Sequence, residues 1–195
     1  KYNLNASLEA QFASISDDIA YNSHDLEDGL RANLYSIEDL KDIPILSQII
    51  NKHKKFIKKK GTELVIRQII KSIVNEMVND IIINTKKKIK EKKIRTVHDV
   101  YNQDELIVTF SKKMNLFDLS IKSFLKEKMY LSESVLKKTN TGKKIIKFLF
   151  LKIKKSPLKY IKKSIYQKKN FERNVCDFVA GMTDRYAINL YNSLK

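Results

Sequence analysis

The chain has 195 residues, 39 of them Lys or Arg against 22 Asp or Glu, for a formal net charge of +17. Hydrophobic residues make up 43% and fall in periodic runs, which excludes wholesale disorder. Only four Gly and two Pro argue against a turn-rich β-sandwich or barrel, and a single cysteine, Cys176, excludes a disulfide scaffold or a Cys-based zinc site.

The pattern is helical nearly throughout. Leu8, Phe12, Ile15 and Ile19 predict a first helix from Leu8 to about Asp28, with Gly29 as its stop. Ser36-Ile37-Glu38-Asp39 reads as a capping box opening a short helix. Pro44 suits the first turn of the next helix, which should run through Ile49 and Ile50 toward Lys60 and break at Gly61. Thr62 is the expected cap of a long helix from Glu63 to about Lys92. Its stripe is Ile66, Ile69, Ile70, Ile73, Val74, Met77, Ile81 and Ile82, which should make it central to the core. Leu106 to Phe110 reads as a short extended segment or a buried loop. Helical pattern resumes at Ser111 through Phe117, Ile121, Phe124 and Leu125. A further amphipathic run covers about 132–153, and Pro157 separates it from a Lys-rich stretch. One final helix, capped by Asn170, is expected through Val175, Phe178, Val179, Met182, Tyr186 and Leu190. The fold class is therefore all-α.

Charge is uneven along the chain. Residues 1–50 carry a net −6, residues 51–170 a net +23, and the last 25 balance. A basic middle admits weak nucleic-acid binding, but a Lys-rich solvated helix face has the same composition, and no aromatic ladder accompanies the lysines. The longest apolar stretches, such as Ile81 to Ile83, are too short to span a bilayer. With no visible signal-peptide pattern, a cytoplasmic setting without membrane contact is expected.

The chemistry-bearing residues gather in the first helix. Asp17, Tyr21 and Asp25 are spaced i, i+4, i+8 and share one face over two turns. Clustered acids repel one another, so a metal ion or a set of sugar hydroxyls is a natural partner, and a solvated acidic face is the alternative. The histidines, His24, His53 and His98, are scattered. The dipeptides His24-Asp25 and His98-Asp99 are weak signals by themselves.

Two longer motifs carry a resemblance. Ser7-Leu8-Glu9-Ala10-Gln11, followed by Asp17-Asp18-Ile19-Ala20-Tyr21-Asn22-Ser23-His24-Asp25-Leu26-Glu27-Asp28-Gly29-Leu30-Arg31, resembles the deoxyguanosine triphosphate triphosphohydrolase family of the HD-domain superfamily. Ala180-Gly181-Met182-Thr183-Asp184-Arg185-Tyr186-Ala187 is similar to that family's ending, with Arg67 and Lys147-Phe148-Leu149-Phe150 in the family's order between them. The resemblance implies an HD-domain-like helical bundle that hydrolyses a deoxynucleoside triphosphate to the deoxynucleoside and tripolyphosphate. It implies that Asp17 is a ligand of a divalent metal such as Mg or Mn, and that Tyr21 and Asp25 face the substrate sugar. It leaves the role of Asp184, Arg185 and Tyr186 open, with helix packing and a buried ion pair favoured over catalysis.

In that family a lone His and a His-Asp pair complete the metal site upstream of the Asp17 motif. Only 16 residues precede Asp17 here, and none is His. The expectation is a C-terminal portion spanning residues 1–195, beginning at Lys1 rather than Met, with an N-terminal half as its partner. By itself it should hold metal poorly, be inactive and contain no catalytic residue. A homo-oligomer is compatible with the resemblance. A non-catalytic remnant and a basic helical nucleic-acid-binding module are the other readings.

Overall fold

A computed structural model describes residues 4–54, 61–163 and 168–195. The described residues form α-helices joined by short helical turns, with no strand. They divide into two units, Lys1–Ser132 and Glu133–Lys195. Among the described residues, no helix is long and apolar enough to cross a membrane.

The first unit is built on α3 (Thr62–Glu91). Its isoleucine stripe buries Ile69, Ile73 and Met77 completely. Helices α1 (Leu8–Arg31) and α2 (Leu46–Lys54) pack on it, and α5 (Lys112–Leu125) packs on α1. Leu26, Leu46, Ile50 and Phe117 bring their apolar faces into the same core. Ile82, expected inside, is 40% exposed because it lies at the edge of the stripe. The second unit packs α6 (Glu133–Lys155) against α7 (Phe171–Ala180) and α8 (Asp184–Leu194). Its core is Leu149, Ile153, Val175, Val179 and Ala187, with the Phe148 and Tyr191 rings edge to face at 5.0 Å.

Several boundaries differ from expectation, each for a local reason. Helix α1 does not stop at Gly29 but runs to Arg31. It ends in a Schellman motif: the Leu34 N–H bonds Gly29 O, the Asn33 N–H bonds Leu30 O, and Asn33 takes the left-handed conformation at φ 54°. Gly29 is needed for close packing instead, because a Cβ there would lie 2.2 Å from the Tyr35 hydroxyl oxygen. The Ser36 box forms with Asp39 Oδ2 accepting from Ser36 N–H and Oγ–H, but it opens only the single 3₁₀ turn Glu38–Leu40. Pro44 precedes α2 rather than joining its first turn, since Ile45 sits at φ 72°. The expected continuation of α2 toward Lys60 lies outside the described residues. Gly61, at φ 81°, is the N-cap of α3, and Thr62 is already helical. The final segment is two helices. Gly181 ends α7, and Thr183 caps α8 by accepting from the Tyr186 N–H. Asn170 makes no side-chain cap bond.

Residues 106–110 form a loop that is buried at its centre and exposed at Leu106. Ile107 and Val108 are inside, so their polar backbone needs partners that no sheet supplies. Gln11 Oε1 accepts from both N–H groups, at 2.9 and 3.0 Å. The Gln11 amide also donates to Ala6 O at 2.7 Å. Asn84 donates to Thr109 O at 2.8 Å. At the far side, Asp80 on α3 accepts from Ser111 N–H and Oγ–H, and Ser111 caps α5.

The short helix α4 (Val97–Tyr101) opens with a reciprocal capping box between Thr96 and Asp99. Asp99 accepts from the Arg95 and Thr96 N–H groups, and these bonds hold its carboxyl below the usual carboxylate range. A depressed folded-state value means the cap is intact above the ordinary carboxylate pKa of about 4 and is lost as pH falls through the lowered value. The Arg95 and Thr96 amide signals should therefore shift together on acidification. An NMR titration checks this, and Asp99→Asn should abolish the shared transition.

Candidate functional site

Helix α1 presents two chemically distinct faces. Ile19, Leu26 and Leu30 are buried, and so are the polar residues Asn22 and Ser23. Part of the polarity of this helix thus belongs to the interior. The Asn22 amide donates to Asp118 Oδ1 of α5 at 3.2 Å. Asp118 is 4% exposed and its charge is met by Lys122 at 2.9 Å, which also reaches Asp18 at 3.4 Å. Burial disfavours the Lys122 ammonium, but the Asp118 and Asp18 carboxylates outweigh it and hold its pKa above the ordinary value. This cluster fixes α1 against α5 beside a groove of about 370 Å³ that Asp18, Asp118 and Lys122 line with the 106–110 loop.

Asp17, Tyr21 and Asp25 follow one another along the outer face. Asp17 is exposed, Tyr21 is 61% exposed, and Asp25 is half-buried. The feature absent from the sequence reading is Tyr130. It ends a π-helical turn, Lys126–Tyr130, that continues α5, and the Leu131 N–H bonds back to Lys126 O. The Tyr130 hydroxyl donates to Asp25 Oδ2 across 105 residues of sequence, and the Tyr21 phenol is near enough to add to the upward shift of the Tyr130 pKa. Burial first, and then the Asp25 carboxylate, raise the Tyr130 phenol well above its ordinary value, so it stays a neutral donor at physiological pH. No local motif announces this partner. Only the packing of α5 on α1 brings it there.

A metal ion is less well provided for. Among the described residues, no group of three or more His, Cys, Asp or Glu is placed to hold one. Asp17 is a single exposed carboxylate, and a useful site needs three or more protein ligands. The described residues thus do not fit a metal by themselves. Both His-Asp dipeptides have their carboxylates engaged elsewhere, Asp25 with Tyr130 and Asp99 in the α4 cap. His53 Nε2 lies 2.9 Å from Ser72 Oγ, and burial lowers its pKa. A separate polar cavity of about 620 Å³, lined by Gln48, Lys52, Asn75, Asn79 and Lys113 among others, shares no residue with the α1 face.

The expectation of a buried ion pair at Asp184, Arg185 and Tyr186 is corrected. All three are exposed at the first turn of α8, and Ala187 alone of that stretch is buried. The motif's polar residues mark a helix start, with Thr183 as its cap.

Residues 108–193 match the model of a phosphohydrolase-associated domain. The chain is 46% identical over 189 residues to a deoxyguanosinetriphosphate triphosphohydrolase-like protein of Pelagibacter ubique, covering 97% of this chain and 51% of the relative. Proteins of the same description from Leptospira interrogans and Bartonella quintana are 37% and 35% identical, covering 96% and 100% of this chain. The chain spans about half the length of these relatives. This likeness runs along nearly the whole sequence, so the chain is similar throughout to deoxyguanosinetriphosphate triphosphohydrolase-like proteins.

Proposed function

We propose that this chain is the C-terminal part of a metal-dependent hydrolase that converts a deoxynucleoside triphosphate to the deoxynucleoside and tripolyphosphate. The observation that carries the reading is the outer face of α1. There Asp25, engaged by Tyr130, stands one turn from Tyr21 and two turns from Asp17. A carboxylate with one oxygen already engaged can accept a sugar 3′-hydroxyl on the other. An exposed tyrosine ring one turn away can close against C2′ and leave no room for a 2′-hydroxyl. Asp17 would contribute one oxygen to a divalent ion whose other ligands come from the part of the relatives' length that this sequence does not span. A bound metal would activate water for attack on the α-phosphorus. The names of the relatives support the substrate class. A cytoplasmic location, a homo-oligomer and weak contacts between nucleic acid and the Lys-rich segments belong to the same reading.

The test measures tripolyphosphate and deoxynucleoside release from dGTP and the other deoxynucleotides with Mg²⁺ or Mn²⁺. It uses this chain alone and this chain fused to the complementary half of the Pelagibacter relative. The chain alone should release neither product. The fusion should release both, and Asp17→Asn should lower its rate at least 100-fold, a loss of about 2.7 kcal/mol or more of barrier reduction. A fusion that yields diphosphate and phosphate, or no product, contradicts the reading.

A further inference from the structure

We propose that Tyr130 is a positioning residue for Asp25, holding its carboxylate in one orientation beside Tyr21 so that the free oxygen can accept a hydrogen bond from a sugar hydroxyl. This rests on the deoxynucleotide reading above and adds to it a residue from a different helix.

Three observations carry it. First, the contact is tertiary. Asp25 sits near the end of α1 and Tyr130 at the end of the turn after α5, and the hydroxyl of one reaches the carboxylate of the other. Second, the backbone that delivers Tyr130 is irregular. A π turn takes in one residue more than an α turn, which rotates everything after it by about 100° relative to an uninterrupted helix. Tyr130 is the last residue of that turn, and its hydroxyl meets Asp25. Its ring is packed against the core of the first unit, so the hydroxyl is held rather than swinging in solvent. Third, the donor is neutral. A lysine there would neutralise Asp25 and weaken it as an acceptor. A phenol restrains the carboxylate while leaving its charge, and restraint of a binding group by its neighbours is what keeps a site in productive geometry. Tyr21, whose phenol also acts on the Tyr130 hydroxyl, completes a cluster of three side chains.

The test compares Tyr130→Phe with the unaltered sequence in the fusion described above. The substrates are dGTP and 2′,3′-dideoxyguanosine triphosphate, which lacks the 3′-hydroxyl. Tyr130→Phe removes one oxygen and keeps the packed ring. The KM for dGTP should rise about tenfold with kcat changed less than about threefold, corresponding to about 1.4 kcal/mol of lost binding. The dideoxy substrate should show no difference between the two proteins. Asp25→Asn should cost at least as much on dGTP, and the double variant no more than Asp25→Asn alone, because the tyrosine acts through the carboxylate. Equal losses on both substrates would mean a purely structural role and overturn the proposal. So would an unchanged KM for dGTP. A fusion inactive toward every deoxynucleotide before any substitution would instead overturn the proposed function itself, a result distinguishable from either of these.

Discussion

Gln11→Ala is expected to destabilise the first unit by about 3 kcal/mol. The side chain is 4% exposed and makes three bonds: one donated to Ala6 O and two accepted from Ile107 and Val108 N–H. Truncation leaves both loop N–H groups buried without an acceptor, and each orphaned group costs about 1–3 kcal/mol. Gln11→Met separates this from lost volume. It refills the space without an acceptor, so its loss should approach that of Ala. Denaturant midpoints read the stability, and amide exchange reads the location, since Ile107 and Val108 should lose protection first. A Met variant within about 0.5 kcal/mol of the original, the range of a neutral surface substitution, would mean the two N–H groups find other partners.

Gly29→Ala should also destabilise, by about 2 kcal/mol, although the same change on an exposed helix face gains about 1 kcal/mol from helix propensity. The added methyl would lie 2.2 to 2.5 Å from the hydroxyl and ring atoms of Tyr35. That ring is 7% exposed, its hydroxyl donates to Asp25 O and Leu26 O, and its edge meets Phe124 at 4.8 Å. Moving it gives up both bonds and the ring contact. The sign of the effect depends on Tyr35, which supplies the check. In a Tyr35→Leu background, Gly29→Ala should become neutral or stabilising. Persistence of the full loss there would place the conflict elsewhere.

These two residues show what the sequence could and could not convey. Periodicity located α1, α3, α5 and α6, because a helix that buries one stripe must repeat it every three or four residues. Ile69, Ile73, Phe117 and Leu149 are inside as that pattern requires. Gly29 was misread because glycine has two uses, helix termination and close approach, and the choice depends on Tyr35 folding back across the helix end. Gly181 was misread in the opposite direction. The apolar pattern continues through it, yet the chain breaks there and Thr183 caps the next helix.

The candidate site was legible to a similar depth. Asp17, Tyr21 and Asp25 share a face because their spacing is a property of one helix. Tyr130 and Lys122 lie about a hundred residues away, and nothing local to either signals its partner. The π turn at Lys126–Tyr130 is likewise a departure in hydrogen bonding that leaves the residue types unremarked.

The cap of α5 has a consequence for the order of folding. Ser111 accepts from the Met114 N–H, but it is itself held by Asp80, 31 residues earlier on α3. Closing a loop of that length costs entropy that grows only slowly with length, yet it must be spent before the cap forms. The first turn of α5 therefore gains its full restraint only once α3 has docked. A chain emerging from the ribosome completes α3 before Ser111 is made, so synthesis presents the template before the element that depends on it. Refolding from denaturant has no such sequence of arrival, and there the start of α5 must wait for the encounter.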